Sequence, residues 1–533
     1  MLYWRYISDK NVVKYYYMVG REKNKVGVFL KRLFCSKWFY YCLGLVAVNL
    51  LTAKWLSEKY DVSAMRYVVP VQLLIEGVLV TVYYFARKKN WSTEKIFLLM
   101  VIPLGILFIM LLPCGQTPDE AAHYMRTYGI TDGHLIVPQS ETNNGGSELP
   151  AALSEVFYPE TERGLYGEII KDLSFGTDGE VRDYNYATAA LYSPITYLPQ
   201  TLAIGFGRLI HAPLVVGVYL GRIFDFAIFV FLMYFAIKFV PKFKDFILFI
   251  GLFPMTLQEA TSLSPDSLTI SLSIFMIAFV CYLAYEKKGR MSKGELGILY
   301  IMAIFIGFCK IVYLPLLLLY FLIPAERFGG VKQKRFHALL LGGIVLVLNV
   351  GWLLVSSRYL VDVRAGVNPG EQARYILTHP HMYLASLLGT ISARIDYWSG
   401  SMFGMSLGHY TIDLPQFYFC LYLVIFLFLL AQSSERFVIK KSDKVILISV
   451  LAIIFLLIVT SLYLQWTPVG DYFIDGVQGR YFLPIILLVP FMLCPTKKTR
   501  EQRSFQLIKQ ELIVCSGVFC NVAALTCIFV ANL

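Results

Sequence analysis

The feature that most constrains this chain is the recurrence of apolar runs of membrane-crossing length from Trp38 to Val530. A bilayer core about 30 Å thick takes about 20 residues of α-helix per crossing, and lipid admits only backbones that satisfy their own hydrogen bonds. Since 57% of the 533 residues are hydrophobic and only 16% charged, the chain has too little polar surface to cover a water-soluble globule. Lipid is therefore its solvent, and no stretch is left for a soluble domain. The formal charge of +12 does not point to nucleic acid, because the bases fall in short clusters between apolar runs. The ten cysteines, Cys42, Cys281, Cys420, Cys515 and Cys520 among them, lie mostly inside the runs and lack the spacing of a zinc site or a disulfide framework.

Fourteen runs are candidate spans: 39–56, 67–86, 96–113, 192–210, 214–240, 246–260, 267–285, 296–309, 311–323, 338–356, 415–431, 444–465, 480–494 and 511–530. The first ends in Glu58-Lys59-Tyr60-Asp61 with no small-residue cleavage pattern, so it reads as an anchor. If all fourteen cross, Lys242, Lys287, Lys332, Lys440 and Lys497 fall on the outer side, against the positive-inside rule. The run 192–210 follows Tyr192-Ser193-Pro194 and contains Pro199, Gly205 and Gly207, which suits a re-entrant or interfacial segment. Without it, Arg87-Lys88-Lys89, Lys242/Lys244, Lys287-Lys288/Arg290, Lys332/Lys334-Arg335, Lys440-Lys441 and Lys497-Lys498/Arg500 all become cytoplasmic. The expectation is an all-α polytopic protein of about 13 spans, with a cytoplasmic N-terminus and an outer C-terminus.

Two long loops then lie outside, 114–191 and 357–414, and long loops of this kind carry function. In the second, Asn368-Pro369-Gly370-Glu371 reads as a capping-box start of a helix lying at the interface. The first opens with Thr117-Pro118-Asp119-Glu120-Ala121-Ala122-His123, where Thr117, Pro118 and Glu120 have capping-box spacing. Capping does not explain Asp119 and His123, four apart on one helix face, with Arg126 three further on. A carboxylate beside an imidazole at the membrane surface suits proton removal from a hydroxyl. In Gly476-Val477-Gln478-Gly479-Arg480-Tyr481, the glycines let backbone approach a ligand and the arginine attracts a phosphate, although an arginine here also suits snorkelling to headgroups. Ser264-Pro265-Asp266-Ser267 explains itself largely as helix initiation. Lys310, between two short runs, is a second phosphate contact; Arg222 and Asp225 have the spacing to neutralise each other within a span, and Glu76 is a lone carboxylate in a run.

Pro118-Asp119-Glu120-x-x-His123, Ser264-Pro265-Asp266-Ser267 and Gly476-x-x-Gly479-Arg480-Tyr481 together resemble the bacterial membrane-protein family called domain of unknown function 2142, over about residues 95–495. Their order also resembles the GT-C glycosyltransferase superfamily, with an acidic motif in the first large outer loop and a Pro-containing aromatic segment like Tyr192-Ser193-Pro194. The chain departs from that layout in having two extra spans before the motif and no soluble domain after the last. The resemblance implies three regions: 1–95, a cytoplasmic N-terminus and two spans; 96–495, a GT-C-like catalytic module; and 496–533, a basic segment and last span. It implies transfer of a sugar from a polyprenyl-phosphate donor to an extracytoplasmic glycan or envelope acceptor at the plasma membrane. Asp119, Glu120 and His123 are then the candidate catalytic residues, and Arg126, Asp266, Lys310, Arg480 and Tyr481 the candidate substrate-binding ones. A divalent metal between Asp119 and the phosphate would suit such a site, but one carboxylate motif does not establish it. A carrier or flippase of lipid-linked saccharides, or a polysaccharide polymerase or ligase, is the alternative.

Overall fold

The computed structural model describes residues 37–59, 65–141, 143–158, 166–167, 173–176, 179–360, 364–433, 437–497 and 509–532. The basic segment before Lys37, the Tyr60-Asp61 pair, and Lys498 and Arg500 lie outside the described residues. The chain divides into two compact units, Met1–Leu73 and Leu74–Leu533. In the first, the run 39–56 lies within helix α1 (Lys37–Lys59), and α2 (Met65–Lys88) includes the boundary.

Seven described helices are long and apolar enough to cross a membrane: Val68–Lys88, Thr93–Leu111, Leu214–Phe239, Pro265–Glu286, Val331–Tyr359, Lys441–Gln465 and Gln510–Ala531. Each coincides with one of the expected runs. Their surroundings differ: 89% of the most apolar stretch of Pro265–Glu286 is buried against 11% of that of Val331–Tyr359, whose Leu339, Val347 and Leu354 face outward. An apolar helix so exposed needs lipid around it.

The second unit begins its path to the site with α3 (Thr93–Leu111), α4 (Glu120–Thr131) and, in the loop 114–191, antiparallel strands β1 (Gly146–Pro150) and β2 (Val181–Asn185), Gly146 pairing with Asn185. The chain is thus not purely helical. The run 192–210 becomes a 3-10 turn, Pro194–Tyr197, and a 12-residue helix, α5 (Leu198–Leu209), about 18 Å long and too short to cross. It packs on α6 (Leu214–Phe239).

Three runs expected to span are built differently. The run 246–260 splits into α7 (Lys244–Gly251) and α8 (Pro254–Ala260), because Pro254 has no N–H for the preceding turn and serves as a new first residue. The residues of α8 are buried throughout, and a broken helix is tolerated at membrane depth where protein surrounds it. After α9 (Pro265–Cys281) and α10 (Lys293–Cys309), the run 311–323 is a 3-10 helix, Ile311–Leu322, with Pro315 inside it. The run 480–494 likewise opens as a 3-10 segment, Gly479–Ile485, containing Pro484.

The loop 357–414 follows α11 (Val331–Ser356) and holds α12 (Pro369–Thr378) and α13 (Pro380–Phe403). Asn368 caps α12 as expected, its side chain accepting from Glu371 N at 3.0 Å. Helix α13 packs against Gly479–Ile485 and α8, which brings the two halves of the chain together at one place.

Candidate functional site

Each charged residue of the site stands where a helix starts, stops or breaks. Beyond α3 the chain turns, and α4 starts at Glu120, so the capping box expected from Thr117 does not form. The N-cap is Asp119, in the left-handed region at φ 64°, its side chain capping nothing, and the buried Thr117 hydroxyl has no hydrogen bond. A non-glycine residue held there costs about 1–3 kcal/mol and persists only where surroundings enforce it.

Glu120 turns inward. Arg222 of α6 donates to it through Nε at 2.8 Å and Nη2 at 2.7 Å, and the backbone N–H groups of Gly115 (2.9 Å) and Leu263 (3.2 Å) donate as well. Arg222 also holds the carbonyls of Leu112 (2.6 Å) and Pro113 (3.1 Å) at the end of α3, and both side chains are wholly buried. The expected Arg222–Asp225 pair is therefore not made. Asp225 accepts from Gln200 Nε2 at 2.6 Å instead. Arg126 points to the loop after α4, giving its terminal nitrogens to the carbonyls of His134 (2.7 Å) and Leu135 (2.8 Å).

Arg480 is the centre of the cluster. Its Nη1 donates to both oxygens of Glu259 of α8, each at 3.2 Å; its Nη2 lies 3.8 Å from Asp119, and its Nε 3.7 Å from Asp266 without a hydrogen bond. Asp266, at the start of α9 where Ser264 caps the backbone, also takes Lys310 Nζ at 2.5 Å. The Lys310 ammonium sits over the rings of Tyr481 (4.9 Å) and Tyr192 (5.6 Å), contacts that favour a desolvated cation. Arg480, Glu259, Asp266 and Lys310 are all largely buried, whereas the Asp119 side chain is 67% exposed. Asp119 is the cluster's open edge.

His123 lies behind it, edge-on to Tyr192, with Nδ1 2.8 Å from the Tyr197 hydroxyl. That hydroxyl donates to Ala189 O at 3.1 Å. Both bonds are made at once only when Nδ1 carries the proton, which leaves Nε2 with its lone pair. Burial pushes the imidazole down to about 4; the Asp119 and Asp266 carboxylates oppose this, and Lys310 and Arg480 reinforce it. Because the unfolded chain, with His near its usual value of about 6.5, binds the proton first, folding stability is complete above about 6.5 and falls as pH drops toward about 4. Between pH 7 and 5 the loss is about 2 kcal/mol. Unfolding midpoints of wild type and His123→Gln at the two pH values check this: the variant's dependence should be shallower, and equal slopes would remove His123 as the cause.

A family model described as "Predicted membrane protein (DUF2142)" matches residues 102–489. The chain belongs to this family. No curated protein and no solved structure gave a match. The DUF2142 match starts inside α3 and so takes in every member of the cluster from Asp119 to Arg480, while α1 and α2 lie outside it.

Of the sequence candidates, Asp119, His123, Asp266, Lys310, Arg480 and Tyr481 come together in this DUF2142 chain. Glu120 and Arg126 do not join them; each is spent on holding a turn. Glu259, Tyr197 and Tyr410, whose hydroxyl donates to Gln478 Oε1 two residues before Arg480, escaped the sequence reading. Glu259 had a usable signal, a carboxylate inside an apolar run; the tyrosines, among 36, had none. As for a metal, the buried carboxylates are turned onto Arg480 and Lys310, and no three His, Cys, Asp or Glu among the described residues converge as a ligand set. Gly479 fixes the position of Arg480: a Cβ there would fall 2.1 Å from Trp398 O and 2.3 Å from Met402 N, backbone atoms of α13. Gly479→Ala should displace the segment and lower the unfolding midpoint markedly, with a cost of about 1–3 kcal/mol or more; an unchanged midpoint would show that α13 yields.

Proposed function

We propose that the chain is a GT-C-like membrane glycosyltransferase that moves a sugar from a polyprenyl-phosphate donor to a glycan or other envelope acceptor at the extracytoplasmic face of the plasma membrane. The observation that carries this reading is an exposed carboxylate, Asp119, set 3.8 Å from a buried guanidinium that three carboxylates share. Asp119 takes the proton of the acceptor hydroxyl, and the oxygen attacks the anomeric carbon from the face opposite the phosphate. The bond from that carbon to the phosphate oxygen breaks, its electron pair leaving with the phosphate, and the configuration inverts. Protonation of Asp119 in this step leaves Arg480 and Lys310 faced by two carboxylates instead of three, so the site becomes less negative as charge develops on the leaving phosphate. His123 stays neutral and braces the start of α4 through Tyr197.

A carrier would set its polar groups along a path near the bilayer midplane. In this chain Glu120–Arg222 and Gln200–Asp225 are closed on one another, which favours the enzyme. A polymerase or ligase would use the same base on a different acceptor. Membranes carrying the protein, supplied with radiolabelled polyprenyl-phosphate sugars, should pass label to an envelope acceptor, and membranes with Asp119→Asn should not. Equal transfer by both refutes the reading.

Topology enters the same proposal: thirteen crossings, the N-terminus inside and the loop 357–414 outside. In intact cells a cysteine at exposed Gly370 should react with an impermeant thiol reagent, and one at exposed Ser442 should not, after subtraction of native-cysteine background. The reverse pattern places the cluster on the cytoplasmic side.

A further inference from the structure

The cations of the Arg480 cluster are already faced by carboxylates, two against three. Next to it is a cavity of about 200 Å³, lined by Arg394, Tyr397 and Trp398 on one face of α13 and by the loop that leads to Arg480. That loop is pinned at three backbone donors: Ile474 N to Thr390 Oγ1 (2.9 Å), Asp475 N to Thr467 Oγ1 (3.0 Å) and Gly479 N to Ser401 Oγ (3.0 Å). Between the pins stand Gly476, Val477 and Gln478, all lining residues of the cavity, whose backbone N–H groups have no acceptor among the described residues. Gly476 has φ 80°, and a Cβ there would fall 2.6 Å from the Trp466 ring, so the loop keeps this shape only with glycine. Successive free N–H groups around a left-handed residue make a concave anion site. Arg394 faces the same cavity and makes no ion pair among the described residues, whereas Asp475 on the wall is neutralised by Arg364 at 2.7 Å. The Tyr410 hydroxyl donates to Gln478 Oε1 at 3.0 Å, fixing the wall nearest the cluster.

We infer that this cavity is a phosphate-binding subsite, in which Arg394 supplies the guanidinium fork and Gly476–Gln478 the backbone donors. A guanidinium matches two phosphate oxygens at once, and an ammonium does not. The phosphate belongs either to a prenyl-phosphate headgroup or to a soluble phosphate ester. The inference does not depend on sugar transfer, since it is read by binding alone.

The test uses the full chain in a phosphate-free maltoside detergent, with farnesyl phosphate and glucose 1-phosphate as probes. Farnesyl phosphate should bind, Arg394→Ala should weaken it tenfold or more, and Arg394→Lys should fall between. Competition by glucose 1-phosphate at similar concentration marks a soluble ester as the ligand, and its failure to compete marks a lipid headgroup. On wild-type protein, farnesyl phosphate should also slow phenylglyoxal modification of Arg394 at least threefold by peptide mass spectrometry, a readout that needs no variant to fold. Unchanged affinity in Arg394→Ala, or unprotected Arg394 at saturating probe, overturns the subsite. Because farnesyl phosphate carries no sugar, its binding and its protection of Arg394 in wild-type protein stand or fall separately from the transfer reading.

Discussion

Glu120→Gln should cost about 3–5 kcal/mol and lower the unfolding midpoint of the purified protein sharply, although the substitution changes shape hardly at all. The reason is Arg222, whose side chain is wholly buried and whose only anionic partner among the described residues is Glu120. A glutamine oxygen accepts one of its hydrogen bonds but leaves the positive charge uncompensated in a low-dielectric interior. The same carboxylate also accepts from Gly115 N and Leu263 N, so the turn after α3 and the turn before α9 loosen together. Replacing both partners, Glu120→Leu with Arg222→Met, should recover part of the loss: the desolvation penalty of the charges disappears, while the N–H groups of Gly115 and Leu263 and the carbonyls of Leu112 and Pro113 lose these partners. Capping-box spacing suggests a mild effect, since glutamine serves a box as well as glutamate does. A Glu120→Gln midpoint close to wild type would show that Arg222 finds its compensation elsewhere.

Asp119→Asn should have the opposite profile, a loss of transfer of about 10²- to 10⁴-fold with no loss of stability. Asp119 is mostly exposed and its nearest cation is 3.8 Å away, so little folding energy rests on its charge. Its backbone at φ 64° is a conformation in which asparagine is at least as comfortable as aspartate. Asparagine cannot take a proton from the acceptor hydroxyl. Asp119→Ala is the less informative variant, because a side chain that cannot hydrogen-bond locally pays for the left-handed backbone and mixes strain into the result. Transfer rates and unfolding midpoints measured on the same preparations decide the matter. Full activity in Asp119→Asn would remove the proposed base, and lost activity with a collapsed midpoint would make Asp119 structural.

The adjacent carboxylates thus have unrelated tasks, and nothing local separates them. From the sequence come the lipid solvent, the seven helices that coincide with long apolar runs, the cap at Asn368, and the motifs holding Asp119, Asp266 and Arg480, because hydropathy, caps and prolines act within a few residues of where they stand. The proline at each break is legible as well: Pro254, Pro315 and Pro484 lie inside runs that hydropathy alone reads as spans. What hydropathy does not register is whether an interrupted run is enclosed by protein, and enclosure lets α8 present Glu259 to Arg480. Pairing is likewise beyond local reading. Arg222 has an acid three residues away on its own helix and is bound by one 102 residues distant, because the fold closes Glu120 over it and gives Asp225 to Gln200. The tertiary structure chose those partners because a buried charge is stabilised only by groups within hydrogen-bond reach, and that reach is set by packing between helices far apart in the chain.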